Sequence, residues 1–164
     1  LITIKLPKAV KVGVDMDHRY FMEFALAEAE KARMIGEVPV GAVVVLGDSI
    51  IARAYNQKKI LKDPTAHAEM LAIREAAKNL KSWRLTGATL YVTLEPCSMC
   101  AGAIIHARIA KVVFGASDLK GGACGTCFNL LQNSLLNHQA EVIAGIMEVE
   151  CQQVLQDFFQ QLRQ

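Results

Sequence analysis

Two short segments thirty positions apart constrain this chain more than anything else in it: His67-Ala68-Glu69 and Pro96-Cys97-Ser98-Met99-Cys100. One imidazole and two thiols of this kind make three ligands for a tetrahedral zinc, and a three-ligand site keeps its fourth position open to water. Any fold the chain adopts must therefore bring residue 67 against residues 97 and 100. Cys97 and Cys100 stand at i and i+3, which puts both sulfurs on one side of a first helical turn. Pro96 ends the preceding run, and the helix N-terminus expected after it depresses thiol pKa and favours two thiolates. His67 and Glu69 stand at i and i+2 and point to opposite sides of a regular helix. A metal is thus expected off a helix N-terminal end, with Asp63-Pro64-Thr65 supplying cap and first turn. Glu69 would reach the open position without being a ligand. Zinc lowers the pKa of a water it holds from about 16 to about 7, which makes a proton-handling carboxylate useful there.

With 164 residues the chain is long enough for one domain, and a chain of this size buries about 70% of its unfolded surface without disulfides. Five cysteines, four of them in two C-x-x-C pairs, fit metal chemistry in a reducing compartment better than a secreted disulfide framework, so a cytoplasmic location is expected. No apolar run reaches 18 residues, and Lys5, Lys8 and Lys11 interrupt the N-terminal apolar residues, which is unlike a membrane span or a secretory signal. Net charge is only +2, but it is unevenly spread. Residues 53–120 carry 11 Lys or Arg against 5 Asp or Glu, giving +6, and the remainder 7 against 11, giving −4. A basic middle around the motif suits a polyanionic partner, although ordinary lysine scatter on a surface gives the same count.

Hydrophobic periodicity predicts an amphipathic helix over 18–35 and strands over 40–46 and 50–55 around Gly47-Asp48-Ser49. It further predicts a helix over 63–80, a strand over 89–94, a helix over 98–108 and a strand over 111–114. A loop over 121–125, a short helix over 128–136, a strand over 141–146 and a final helix over 148–163 complete the pattern. Alternating strands and helices argue for one α/β domain, three-layered, with a central mixed five-stranded sheet. Residues 1–17 read as a leading extension, loosely attached or non-native, with Met16 as a candidate start, and 18–164 as the single domain.

The residues also carry a resemblance. H-x-E followed by P-C-x-x-C is the signature of zinc-dependent nucleobase deaminases, in which the Glu is the general acid/base. The runs Glu37-Val38-Pro39-Val40-Gly41-Ala42, Asp63-Pro64-Thr65-Ala66-His67-Ala68-Glu69, Thr93-Leu94-Glu95-Pro96-Cys97 and Cys100-Ala101-Gly102-Ala103 make the chain, over roughly residues 18–163, similar to bacterial tRNA-specific adenosine deaminases. The resemblance implies a cytidine-deaminase-like fold, one zinc per subunit on His67, Cys97 and Cys100, and Glu69 as the catalytic proton carrier. It implies conversion of the wobble adenosine of a tRNA anticodon stem-loop to inosine by a homodimer. Asn56, otherwise a plain turn residue, matches a nucleoside contact. Pro39, Val40 and Ala68 match the wall of the base pocket, and Asp118 matches a loop position near the sugar. The backbone N–H of Cys97 is a candidate oxyanion donor. Phe158 and Phe159 fit core packing or, for one ring, stacking on a base, with Phe159 the candidate contact.

Other residues carry less. His18, His106 and His138 lack metal-ligand partners at useful spacing and are expected at the surface or satisfied. Cys151 reads as a small buried apolar residue. Lys62, Arg84, Lys120 and Arg163 are phosphate-contact candidates by charge alone. Cys124-Gly125-Thr126-Cys127 departs from the family's pattern, which has an apolar residue at position 127, and packing is expected of these thiols ahead of oxidation or metal binding. Two alternatives stay open on the residues themselves: a free-base or nucleotide deaminase acting on guanine, cytosine or a cytidine derivative, and a non-enzymatic module in which four cysteines hold zinc and bind RNA.

Overall fold

The computed structural model describes residues 14–164. Helix α1 (Val14–Met34) places Phe21, Met22, Ala25, Ala29 and Ala32 on one buried face. It closes at Gly36, whose φ of +78° suits a residue without Cβ. Strands β1 (Gly41–Leu46) and β2 (Ser49–Tyr55) form the expected hairpin, Leu46 opposite Ser49, with Gly47 at φ +61° in the turn. A register shift lies between Val44 and Val45. There follow a single turn of helix, α2 (Lys58–Leu61), then α3 (Ala68–Leu80), β3 (Thr89–Leu94), α4 (Ser98–His106), β4 (Lys111–Ala116), β5 (Glu141–Ile143) and α5 (Glu148–Leu162).

The sheet order is β2-β1-β3-β4-β5. β1 is antiparallel to both β2 and β3, whereas β3–β4 and β4–β5 are parallel, so the sheet is mixed and five-stranded as expected. Helices cover both faces. On one side α3 and α4 pack over Ala42, Val44, Ala52, Leu90, Val92 and Val112; on the other, α1 and α5 pack over Val43, Val45, Tyr91 and Val113. Burial on both faces explains why β1, β3 and β4 read as continuous apolar runs, while edge strand β2 alternates.

Several local expectations need correction. Residues 128–136 form turns, not a helix. The N–H groups of Gln132 and Leu135 are taken by the side chains of Asn129 and Asn133, and the Leu130 N–H goes to Ala123 O, so the i−4 ladder never starts. The strand predicted over 141–146 ends at Ile143, ahead of Gly145 and Met147 at φ +83° and +54°. Helix α3 begins at Ala68, not Asp63: the Asp63 carboxylate instead accepts both the N–H and the hydroxyl of Thr65, folding 63–67 into a turn. α2 went unpredicted because four residues offer no periodicity. The first helix starts at Val14, four residues inside the segment read as an extension, and residues 1–13 of that segment lie outside the described residues.

Candidate active site

Strand directions decide where the site lies. Because β1 opposes β2 and β3, its start meets their ends: Gly41 pairs with Tyr55 and Ala42 with Val92. β4 runs parallel to β3, so Leu94 and Ala116 finish together. Residues 38–40, 56, 95–97 and 118 therefore gather at one end of the sheet, where α3 and α4 begin. There they surround a cavity of about 150 Å³ lined by Val38, Val40, Asn56, Lys58, His67, Glu69, Leu94, Glu95, Cys97 and Asp118.

His67 is the N-cap residue of α3 and Cys97 that of α4, each in extended backbone conformation. Two helix N-termini thus present an imidazole and a thiol to each other, and Cys100 adds its sulfur from the first turn of α4. His67 Nδ1 lies 3.6 Å from Cys97 Sγ and 3.5 Å from Cys100 Sγ, and all three donor atoms are within 4.8 Å of one another. A tetrahedral zinc with ordinary bond lengths separates its sulfur and nitrogen ligands by about 3.5 Å. This donor set fits that ion. Cys124 and Cys127 join no metal-sized group among the described residues. Cys124 is buried and Cys127 exposed, its Sγ donating to Leu119 O at 3.3 Å, so the four-cysteine alternative has no site in this fold.

Without metal, charge is divided unevenly. A hydrogen bond from Cys100 holds the Cys97 thiol down to about 3, with His67 adding to the effect. The Cys100 thiol is raised by that same bond and by burial, and His67 is raised chiefly by its hydrogen bond to Cys97. Of the two sulfurs, Cys97 is thus the one whose ionised form its neighbours favour, with Cys100 as the donor to it. Glu69 is 3% exposed, with burial pushing its carboxyl up to about 7. Its Oε2 is buried without a hydrogen-bond partner among the described residues.

Asn56 is 6% exposed, and its Oδ1 accepts the Ala68 N–H at 2.8 Å. Val40 and Asp118 line the cavity as well, Asp118 with its Oδ1 accepting the N–H groups of Lys120 and Gly121. Pro39 and Ala68, expected in the pocket wall, are buried and do not line the cavity, and Phe159 lies outside it on α5, 42% exposed and edge-on to the buried Phe158. Lys62, Arg84, Lys120 and Arg163 are all exposed. His18 meets Tyr91 OH at 2.8 Å, His138 meets Ile109 O at 2.7 Å and His106 is exposed. Four wall residues escaped the sequence reading as site residues: the apolar Val38 and Leu94, Lys58 on the unforeseen α2, and Glu95, a charged residue between an apolar strand and a proline, which was a signal to follow.

Residues 16–163 match the MafB19-like deaminase family. A tRNA-specific adenosine deaminase of Bacillus subtilis (strain 168) is 57% identical over 143 residues, covering 87% of this chain and 89% of the relative. One from Haemophilus influenzae is 49% identical over 157 residues, 95% and 90% of the two chains. A solved structure from work on A-to-I editing by tRNA:A34 deaminases at the wobble position of transfer RNA aligns with a TM-score of 0.80 at 47% identity, covering 83% of this chain and 99% of that one. The sheet order and its helical layers are accordingly those of the cytidine-deaminase-like fold.

Proposed function

The chain belongs to the MafB19-like deaminase family, and from that premise we propose that it hydrolyses adenosine at the wobble position of a tRNA anticodon loop to inosine and ammonia. The observation that carries this reading is the pairing of a metal-sized His67, Cys97 and Cys100 cluster with the buried Oε2 of Glu69, which has no hydrogen-bond partner among the described residues, at one cavity. His67, Cys97 and Cys100 would hold one zinc per subunit, which would supply Lewis-acid activation of water when bound.

The protein's own groups do the rest. A carboxyl near neutrality can both take and return a proton, so Glu69 removes one from the attacking water and delivers it to the ring nitrogen beside C6, then takes the second from the new C6 hydroxyl and passes it to the amine, which leaves as ammonia as the C6 carbonyl forms. With its oxygen committed to Ala68, Asn56 has its NH2 group left to offer the nucleoside. Val40 forms the apolar wall against the base, backed by Pro39 and Ala68, and Asp118 meets the sugar. The Cys97 N–H, at a helix N-terminus, donates to the oxygen developing at C6. The base must leave its stack to enter, which costs less from a single-stranded loop than from a duplex. Phe159, outside the cavity, serves as a stacking surface for a neighbouring base. The working form is a cytoplasmic homodimer on the anticodon stem-loop. Among the described residues no helix is long and apolar enough to cross a membrane.

The test is single-turnover deamination of a tRNA anticodon stem-loop with adenosine at the wobble position, alongside free bases and nucleosides. Inosine in the stem-loop alone is the expected result. Turnover of small molecules alone would keep the chemistry and discard the substrate.

A further inference from the structure

Glu95 is a buried carboxylate that the proton chemistry leaves without a role. It directly follows β3, one residue before Pro96 and two before Cys97, and it is 1% exposed. Both oxygens are used as acceptors. Oε2 takes the N–H groups of Cys124 at 3.1 Å and Thr126 at 3.2 Å; Oε1 takes the Thr126 hydroxyl and, at 3.4 Å, the N–H of Asp118. Gly122 sits so close that a Cβ there would lie 2.3 Å from Oε2 and 2.6 Å from Asp118 O. The Glu95 N–H in turn donates to Ala116 O, and Ala123 N–H to Pro96 O.

Taking a carboxyl group out of water is costly unless several donors replace the water, and bonds to a charged acceptor are the stronger kind. All of these donors come from the segment 118–126, which has no helix or strand of its own to hold it. That segment carries Asp118 into the cavity wall. The same side chain lines the cavity and anchors the segment, so the two are mechanically joined.

We propose that Glu95 is a positioning residue, whose buried carboxylate fastens residues 118–126 across the cavity and thereby sets where Asp118 stands relative to Glu69 and the His67, Cys97 and Cys100 cluster. The role rests on the reading of Asp118 as a nucleotide contact.

The experiment compares the zinc-loaded full chain with Glu95→Gln, Thr126→Ala, Asp118→Ala and the double variant Glu95→Gln/Asp118→Ala. Gln keeps the size of the side chain but turns an NH2 toward backbone donors. Amide exchange is expected to quicken at Asp118, Cys124 and Thr126 in Glu95→Gln, with zinc content retained. KM for the stem-loop should rise about tenfold or more, kcat changing less, as follows from losing bonds to a charged group. The double variant should be no worse than Asp118→Ala, because the latch acts through that residue. Thr126→Ala should move exchange and KM in the same direction by less, and it carries the test if Glu95→Gln does not fold. Unchanged exchange over 118–126, or Glu95→Gln and Asp118→Ala effects that multiply, would overturn the proposal. A parent protein with no activity on the stem-loop would sink the substrate reading instead, while exchange still decides the latch.

Discussion

The side-chain oxygen of Asn56 accepts the backbone N–H of Ala68 at 2.8 Å, tying the end of β2 to the first residue of α3. One bond thereby fixes both a helix start, where backbone donors otherwise go unmet, and the amide that faces the cavity.

Asn56→Ala should lower stability by about 1–3 kcal/mol, since it leaves a buried N–H unsatisfied, and should also raise KM. Asn56→Asp keeps the acceptor and loses the NH2 group. Urea unfolding with steady-state kinetics separates the roles: stability largely restored in Asn56→Asp with activity still lost is the expected pattern, and recovery of both would remove the nucleoside contact.

Glu69→Gln is expected to bind zinc and RNA while turnover falls by about 10²–10⁴-fold, the usual reach of a general acid/base. Loss of metal would instead make Glu69 a ligand. The same variant tests its burial. The folded carboxyl is raised from 4.5 to about 7, so in the metal-free protein between those values the native state holds a proton the unfolded chain has released. Its contribution to unfolding free energy therefore falls as pH rises from 4.5 through 7. Metal-free Glu69→Gln should match the parent near pH 4 and exceed it at pH 8, by about 3 kcal/mol from a shift of that size. Chemical denaturation at the two pH values reads the difference.

Chelation should expose a reactive thiol. The Cys100 hydrogen bond, with His67 behind it, keeps Cys97 as thiolate in the metal-free site, whereas Cys100 is held protonated. In a Cys127→Ser background, which removes the exposed competitor, iodoacetamide at pH 5.5 is expected to modify Cys97 once metal is stripped. Zinc added beforehand should block the reaction. Peptide mapping that finds label on Cys100 first would reverse the assignment.

Gly41→Ala should unfold the α1 side of the sheet. A Cβ at Gly41 would lie 1.9 Å from Ala25 O and 2.5 Å from Ala29 N, both backbone atoms of α1 that cannot step aside. A loss of about 1–3 kcal/mol or more is expected from such overpacking, measured as a lower denaturation midpoint. An unchanged midpoint would mean that helix and sheet can part without cost.

What the sequence alone determined is what rests on local pattern and residue chemistry. The alternation of strands and helices follows from periodicity, and His67, Cys97, Cys100 and Glu69 declare themselves because few other purposes require those types at that spacing. Asn56, Val40 and Asp118 were legible through resemblance, and they do line the cavity. Contacts between distant positions were not legible. The helix expected over 128–136 gave way because its donors found nearer acceptors in Asn side chains and in the segment after Gly121. Asp63 became a turn, leaving His67 itself at the helix start. Glu95 is the clearest case. In the sequence it is one charged residue before a proline, and only the return of residues 118–126 to the end of β3 surrounds it with donors and makes its burial affordable.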